Sequence, residues 1–246
     1  MFVLSLFPGI GLFDMAFEEE GFCVVRGPDK LWGGDIHRFH PSAGKFDGII
    51  GGPPCQSHSR FRHLAAATGK NIAPDLIPEF ERCVAEARPS WFLMENVTDS
   101  PEPVVDGYEV CRFILQNRHL GEIQNRERAF AFGTTGARQD LRRYIQLAPL
   151  ESAEWCGAIL ASGGRRPGTE SRRGKTRGAW HGFCGPREFA HALKAQGLPE
   201  DFLADSPFKM KERFRVVGNG VPLPMGRALA HAVKRAMYPQ LCEATA

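Results

Sequence analysis

Three short stretches of this chain hold side chains whose types and spacing could do chemistry. The first is Gly51-Gly52-Pro53-Pro54-Cys55-Gln56-Ser57-His58-Ser59. An apolar run at Phe46–Ile50 leads into it, so it reads as a strand end followed by a rigid, exposed turn. A thiol there is poorly placed for packing and well placed for attack, given a cation or helix N-terminus to favour the thiolate. The second is Glu95 in Met94-Glu95-Asn96-Val97, directly after the apolar Trp91-Phe92-Leu93. A carboxyl at the end of a buried strand is costly unless it is used or paired. It could act as an acid or hydrogen-bond donor; a plain surface carboxylate is the alternative. The third is Gln124-Asn125-Arg126-Glu127-Arg128. Its two arginines are two residues apart and so share one side of an extended segment, facing a site or bracing an edge strand.

Two further stretches would hold a ligand. Phe7-Pro8-Gly9-Ile10-Gly11 lies between a strand and a helix, where glycines let the backbone approach a nucleotide. It is not the dinucleotide fingerprint G-x-G-x-x-G, because position 14 is Asp14, and a plain tight turn remains open. Gly218-Asn219-Gly220-Val221-Pro222 reads as a turn before a helix.

The elements that must position these residues alternate. Strands are predicted at Phe2–Phe7, Phe22–Arg26, Phe46–Ile50, Trp91–Glu95 and Arg128–Phe132. Helices are predicted at about 12–20, 75–88, 108–117, 187–196 and 223–237. That alternation predicts an α/β fold: a doubly wound, mostly parallel sheet. Residues 1–133 read as a catalytic and cofactor-binding core, 134–186 as a small irregular inserted lobe, and 187–246 as a return to the core.

Composition narrows the class. The 246 residues are 43% hydrophobic and 24% charged, which excludes fibrous and wholly disordered readings. No run approaches the ~20 apolar residues of a membrane helix. No signal peptide is read at the start, so a soluble, cytoplasmic protein is expected. Seven cysteines, an odd number with no two within 20 residues, disfavour disulfides and metal pairs. Apart from Cys55 they are expected to be inert, and no metal site is expected. The four tryptophans, Trp32, Trp91, Trp155 and Trp180, are expected to pack. The net charge of +3 is unevenly placed: residues 163–177 carry six Lys/Arg against Glu170. That +5 segment leaves −2 for the rest, so a local polyanion contact is expected, with a solvated loop as the plain alternative.

Together and in this order, the stretches resemble the C5-cytosine DNA methyltransferase family. The matching blocks are LFPGIG at 6–11, GDI at 34–36, GGPPCQ at 51–56, ENV at 95–97, QNRER at 124–128 and GNGVP at 218–222. Arg187 with GLPEDF at 197–202 resembles the segment before the last block. Residues 134–186 lack a counterpart, where the family has its variable target-recognition region.

The resemblance implies a Rossmann-like, class I methyltransferase fold that binds S-adenosylmethionine. It implies cofactor contacts at Phe7, Gly9, Gly11, Asp35, Ile36, Pro53, Asn219 and Val221, with Asp29 on the ribose. It makes Cys55 the nucleophile on C6 of a flipped-out cytosine and Glu95 the carboxyl at N3 and N4. Arg126 and Arg128 lie beside the target base, and Gln56 and Ser59 contact nucleic acid. Arg165, Arg166, Arg172, Arg173, Lys175 and Arg177 would hold the phosphate backbone. Double-stranded DNA is the implied substrate, with a cognate restriction enzyme as a companion. Two departures stand out: Ser5 occupies a place where many relatives carry an acid, and only five residues separate Asp29 from Asp35. The competing readings are an RNA cytosine methyltransferase, disfavoured because 134–186 holds no Cys-Phe-Thr, and a catalytically silent nucleic-acid binder.

Overall fold

A computed structural model describes residues 1–54, 74–149, 155–159 and 186–243. Cys55, Gln56, Ser59, Trp180 and the basic stretch 163–177 lie outside the described residues. The chain forms strands β1 (Phe2–Leu6), β2 (Cys23–Arg26), β3 (Gly48–Gly51), β4 (Trp91–Asn96), β5 (Glu109–Gln116), β6 (Gln124–Asn125), β7 (Glu127–Thr134) and β8 (Cys156–Gly157). The described helices are α1 (Leu12–Glu19), α2 (Ile77–Ala87), α3 (Pro186–Ala195), α4 (Met210–Asn219), α5 (Leu223–Met237) and α6 (Pro239–Glu243).

Six strands make one sheet in the order β2-β1-β3-β4-β7-β5, and β6 pairs separately with β8. The contacts β1–β2, β1–β3 and β3–β4 are parallel, while β7 runs antiparallel to both β4 and β5. Parallel strands covered on both faces need apolar residues at nearly every position. Here successive residues feed opposite cores. Val3, Ile50, Trp91, Leu93, Phe130 and Phe132 pack with Phe17 of α1 and Leu229 of α5. Leu4, Leu6, Ile49, Phe92 and Met94 pack with Phe80 and Val84 of α2. A third cluster joins α3 and α4 through Phe189, Leu193, Phe214 and Val217. The layered α/β architecture read from the sequence is the one observed.

One element differs. Residues 108–117 were predicted helical and form β5 instead. Cys111, Phe113 and Leu115 are buried while Ile114 is 51% exposed, the period of two that a sheet edge imposes. The apolar residues at 110, 111, 114 and 115 satisfy a helical stripe equally well, and pairing with the distant β7 decides between them. Helix α4 is an addition: Gly218 and Asn219 close it rather than belonging to an isolated turn.

The topology gathers the expected site residues on one edge. The chain leaves β1 toward β2 and later returns to β3 on the other side of β1. In open α/β sheets that reversal marks the ligand crevice, outside the carboxyl ends of the strands. The ends of β1, β3 and β4 deliver Phe7–Gly11, Gly52–Pro54 and Glu95–Val97 there. Because β7 is antiparallel, its beginning, with Arg128, reaches the same edge.

Candidate active site

The loop after β1 turns sharply, with positive φ at Phe7 (57°), Gly9 (56°) and Gly11 (82°). Both backbone polar groups of Gly9 are held by one short segment. Gly9 N–H donates to Asp29 Oδ2 at 2.9 Å, and the Trp32 indole Nε1 donates to the Gly9 carbonyl at 2.6 Å. Asp29 Oδ1 also accepts from Leu31 N–H at 2.7 Å, so this carboxylate fastens the end of β2 to the glycine loop. A side chain at Gly9 would meet nothing within 4 Å, which leaves open room beside the loop. Trp32 corrects the packing expectation. It is 61% exposed, touches Phe208, and lies over the glycine loop; Trp155 is exposed as well, and Trp91 alone of the described tryptophans is fully buried.

Under this loop sits an ion pair that the sequence reading left unassigned. Asp14 of α1 is 0% exposed. Ser5 Oγ donates to its Oδ1 at 2.5 Å, and Arg26 Nε to its Oδ2 at 2.9 Å. The acid absent at position 5 is thus present in space, carried on the facing helix. Burial pushes the Asp14 carboxyl above the usual aspartate value, against the pull of Ser5 and Arg26. The positive φ of Gly11 favours glycine, while a Cβ there would meet only the movable tip of the Arg26 guanidinium at 2.7 Å.

The short span from Asp29 to Asp35 holds one 3₁₀ turn, Lys30–Trp32, and a second, Ile36–Arg38, follows Asp35 directly. Asp35 caps the second by accepting from His37 N–H at 3.1 Å. Ile36 is buried in the cluster against which Phe7 packs. Arg82 of α2 secures this turn, its Nη2 donating to the carbonyls of Ile36 (2.8 Å) and Phe39 (3.0 Å). Glu79 and Glu86 pair with the same guanidinium at 2.8 Å each. The spacing Glu79-x-x-Arg82-x-x-x-Glu86 on a helix was the available signal for this brace.

At the end of β4, Glu95 Oε1 and Arg128 Nε form an ion pair at 2.9 Å. A Cβ on Gly52 would stand 3.0 Å from Glu95 Oε2, so the loop leading to Cys55 passes directly over this carboxylate. Asn96 Nδ2 donates to the Pro53 carbonyl at 3.3 Å and its Oδ1 accepts from Val97 N–H, fixing that loop to the strand end.

Arg126 goes elsewhere. It is 2% exposed, and its donors reach the carbonyls of Ile159 (3.0 Å), Gly218 (3.0 Å) and Gly220 (3.2 Å). Of the two arginines expected beside the target base, only Arg128 is with Glu95. The other is a buried brace, which i, i+2 spacing could not reveal, because the partners come from distant segments. Gln124 and Gln196 extend the brace as a buried amide pair joined at 2.8 Å. Asn219 is exposed and Val221 is buried in the main core, while Gly220 packs against Leu12 at the start of α1. Cys55, Gln56, Ser59, Arg165, Arg166, Arg172, Arg173, Lys175 and Arg177 lie outside the described residues. Of the other cysteines, Cys83, Cys111 and Cys156 are buried, and burial pushes the Cys83 thiol up to about 11. Among the described residues no group of three acidic, histidine or cysteine side chains could hold a metal, and no helix is long and apolar enough to cross a membrane.

Known proteins resemble this chain in sequence and in fold. The C-5 cytosine-specific DNA methylase family matches over residues 27–100. The chain is 32% identical to the Type II methyltransferase M.FnuDI of Fusobacterium nucleatum, over 54% of this chain and 46% of that protein. It is 30% identical to the Type II methyltransferase M.AquIA of Picosynechococcus sp., over 53% of this chain and 71% of that protein. The chain thus spans less than half the length of M.FnuDI and most of M.AquIA. Two solved structures share the fold at 14% identity. The Entamoeba histolytica methyltransferase EhMeth has a TM-score of 0.63 over 95% of this chain and 98% of that one. The S. pombe Dnmt2 methyltransferase has 0.61 over 98% and 99%. On the strength of the sequence relatives, this chain belongs to the C-5 cytosine-specific DNA methylase family.

Proposed function

We propose that the chain transfers a methyl group from S-adenosylmethionine to C5 of a cytosine in duplex DNA, with Cys55 as nucleophile. The observation that carries this reading is the Glu95–Arg128 pair lying against Gly52, three residues before Cys55 in the chain.

The residues present fit the cofactor. Open space at Gly9 lies beside Asp29, and a carboxylate has about four lone-pair sites, of which two are taken by N–H groups, leaving the rest for ribose hydroxyls. Phe7, half-buried, offers apolar surface to a base with the buried Ile36 packed behind it, and Asp35, Pro53, Asn219 and Val221 complete the proposed contacts. When bound, S-adenosylmethionine supplies an electrophilic methyl group on a sulfonium sulfur.

The protein side of the reaction follows from two groups. The Cys55 thiolate forms a bond to C6, and the electron pair of the C5–C6 double bond moves to C5, delocalised through C4 onto N3. The Glu95 carboxylate accepts from N4 and stabilises a proton on N3, which favours that addition. C5, now enamine-like, would bond to the methyl group as the methyl–sulfur bond breaks, its electron pair staying on sulfur to leave a neutral thioether. Loss of the C5 proton to water restores the double bond and expels the thiolate. Arg128 keeps Glu95 oriented throughout. A cytosine inside a duplex is out of reach, so it must be flipped out, at a cost of a few kcal/mol, roughly, in unstacking. The six basic residues of 165–177 would hold the phosphates.

The test is transfer of labelled methyl to unmodified duplex DNA, followed by bisulfite sequencing, with Cys55→Ala as control. Methylated cytosines in a fixed short context, lost in the variant, are expected. Transfer that survives Cys55→Ala would remove the covalent step, and no transfer by the wild-type chain would overturn the activity.

A further inference from the structure

We propose that Arg126 and Gln124 are positioning residues that couple nucleic-acid binding to cofactor binding. The proposal rests on the methyltransferase reading and deepens it.

Both polar groups of Ile159 are gripped by this pair. Its N–H donates to Gln124 Oε1 at 3.2 Å, and its carbonyl accepts from Arg126 Nη1 at 3.0 Å. Ile159 is the last described residue before the stretch that carries the six basic side chains. From the same guanidinium, Nη2 reaches the carbonyls of Gly218 and Gly220. Gln124 Nε2 donates to Gln196 Oε1 and to the Ala195 carbonyl, while Gln196 Nε2 donates to the carbonyls of Val217 and Gly220. The turn so held packs against the glycine loop's helix: a Cβ on Gly220 would lie 2.6 Å from Leu12 Cδ1, and Leu12 follows Gly11 directly.

The physical consequence is a shared constraint. Arg126, Gln124 and Gln196 are buried, so water does not replace a lost carbonyl partner. If the strand segment at 156–159 shifts while the turn at 218–220 stays, charged donors lose their acceptors in a dry interior. The two segments therefore move together or not at all. A ligand that orders one favours the arrangement that the other ligand needs. Such coupling is reciprocal by linkage.

A merely structural brace would lower stability when cut but leave the two binding events independent. The measurement is therefore the ratio of cofactor affinities with and without DNA. The probes are S-adenosylhomocysteine and a mixed-sequence, unmodified DNA duplex. For the wild-type chain the duplex is expected to tighten cofactor binding by a factor of about 5–150, the usual range of coupled sites. In Arg126→Lys and Gln124→Met the factor is expected to fall to about 1, whatever loss of cofactor affinity the loosened 218–220 turn causes equally with and without DNA. A wild-type factor retained in folded variants overturns the proposal. Where a variant does not fold, amide exchange in the wild-type chain decides. Duplex alone should slow exchange at 217–221, and S-adenosylhomocysteine alone should slow it at 156–159. Binding of both probes without this cross-protection overturns the coupling alone. Failure of the wild-type chain to bind either probe overturns the methyltransferase reading and the coupling with it.

Discussion

Arg128 meets Glu95 at 2.9 Å because β7 starts where β4 ends. The register sets Phe130 opposite Glu95 and Ala129 opposite Asn96. Arg128 is then the diagonal neighbour of Glu95 on the same face, within reach of a long side chain. A parallel strand in that place would have begun at the opposite edge of the sheet. The single antiparallel strand therefore supplies the carboxylate with its partner, and the Gly52 loop closes over the pair from β3.

Removing the carboxylate's charge should remove its help at N3. Glu95→Gln keeps the shape and is expected to lower kcat about 10²–10⁴-fold, the range for positioned acid–base groups. Arg128→Met should cost roughly 10²-fold by letting Glu95 drift about 1 Å. Cofactor affinity should barely change in either. Steady-state methyl transfer with a cofactor titration reads both quantities. A KM effect without a kcat effect would place the pair in ground-state binding instead.

Gly52→Ala tests the same geometry from the other side. The added methyl would stand 3.0 Å from Glu95 Oε2, closer than ordinary van der Waals contact. The carboxylate must give way by a few tenths of an ångström, and the ion pair with Arg128 tilts with it. A kcat loss of up to about 10²-fold is expected, with a melting temperature near wild type. An unchanged kcat would mean that the pair tolerates displacement and that its distance is incidental.

How far the sequence carried depends on the range of the interactions. The motif blocks and the alternation of apolar runs were legible because each is local: a strand end, a glycine turn, an amphipathic helix. Residues 108–117 were not, since one apolar pattern served helix and strand, and only pairing with β7 separates them. Arg126 and Arg128 looked alike in QNRER. One is turned inward by carbonyls from residues 159, 218 and 220, which no local pattern predicts. Ser5 looked like a missing acid, and the answer was Asp14, nine positions on and 2.5 Å away.

Arg82 should matter to the cofactor without touching it. Its guanidinium holds the carbonyls on either side of the Ile36–Arg38 turn and is itself held by Glu79 and Glu86. Arg82→Gln removes the charge-assisted bonds and is expected to cost about 1–3 kcal/mol of stability. It should also weaken S-adenosylhomocysteine binding, because Asp35 and Ile36 sit in the loosened turn. Arg82→Lys should restore little, since one ammonium cannot span two carbonyls and two carboxylates as the fork does. Denaturant titration and calorimetry report the two effects separately. Destabilisation with unaltered cofactor affinity would detach this turn from the binding site.

Asp14 should give stability a pH dependence opposite to that of the surface acids. Burial is the largest influence on its carboxyl and raises it above 3.8, outweighing the Ser5 hydroxyl and the Arg26 charge. The folded chain therefore binds this proton more tightly than the unfolded chain does. Its favourable contribution is fully present below 3.8 and is lost as pH rises through the raised folded value. Glu19, lowered by its hydrogen bond from Arg227 against the effect of burial, has the opposite sign, losing its contribution as pH falls below the usual 4.5. Glu79 and Glu86 behave like Glu19, since Arg82 overcomes the burial that would raise them. Asp14→Asn deletes only the first of these titrations. The variant's stability relative to wild type should thus rise as pH is raised from below 3.8 toward neutrality, then level off. Urea unfolding of both proteins at a series of pH values measures that difference directly. If the variant instead loses ground as pH rises, the pairing with Arg26 outweighs burial, and Asp14 is a net stabilising anion beneath the glycine loop.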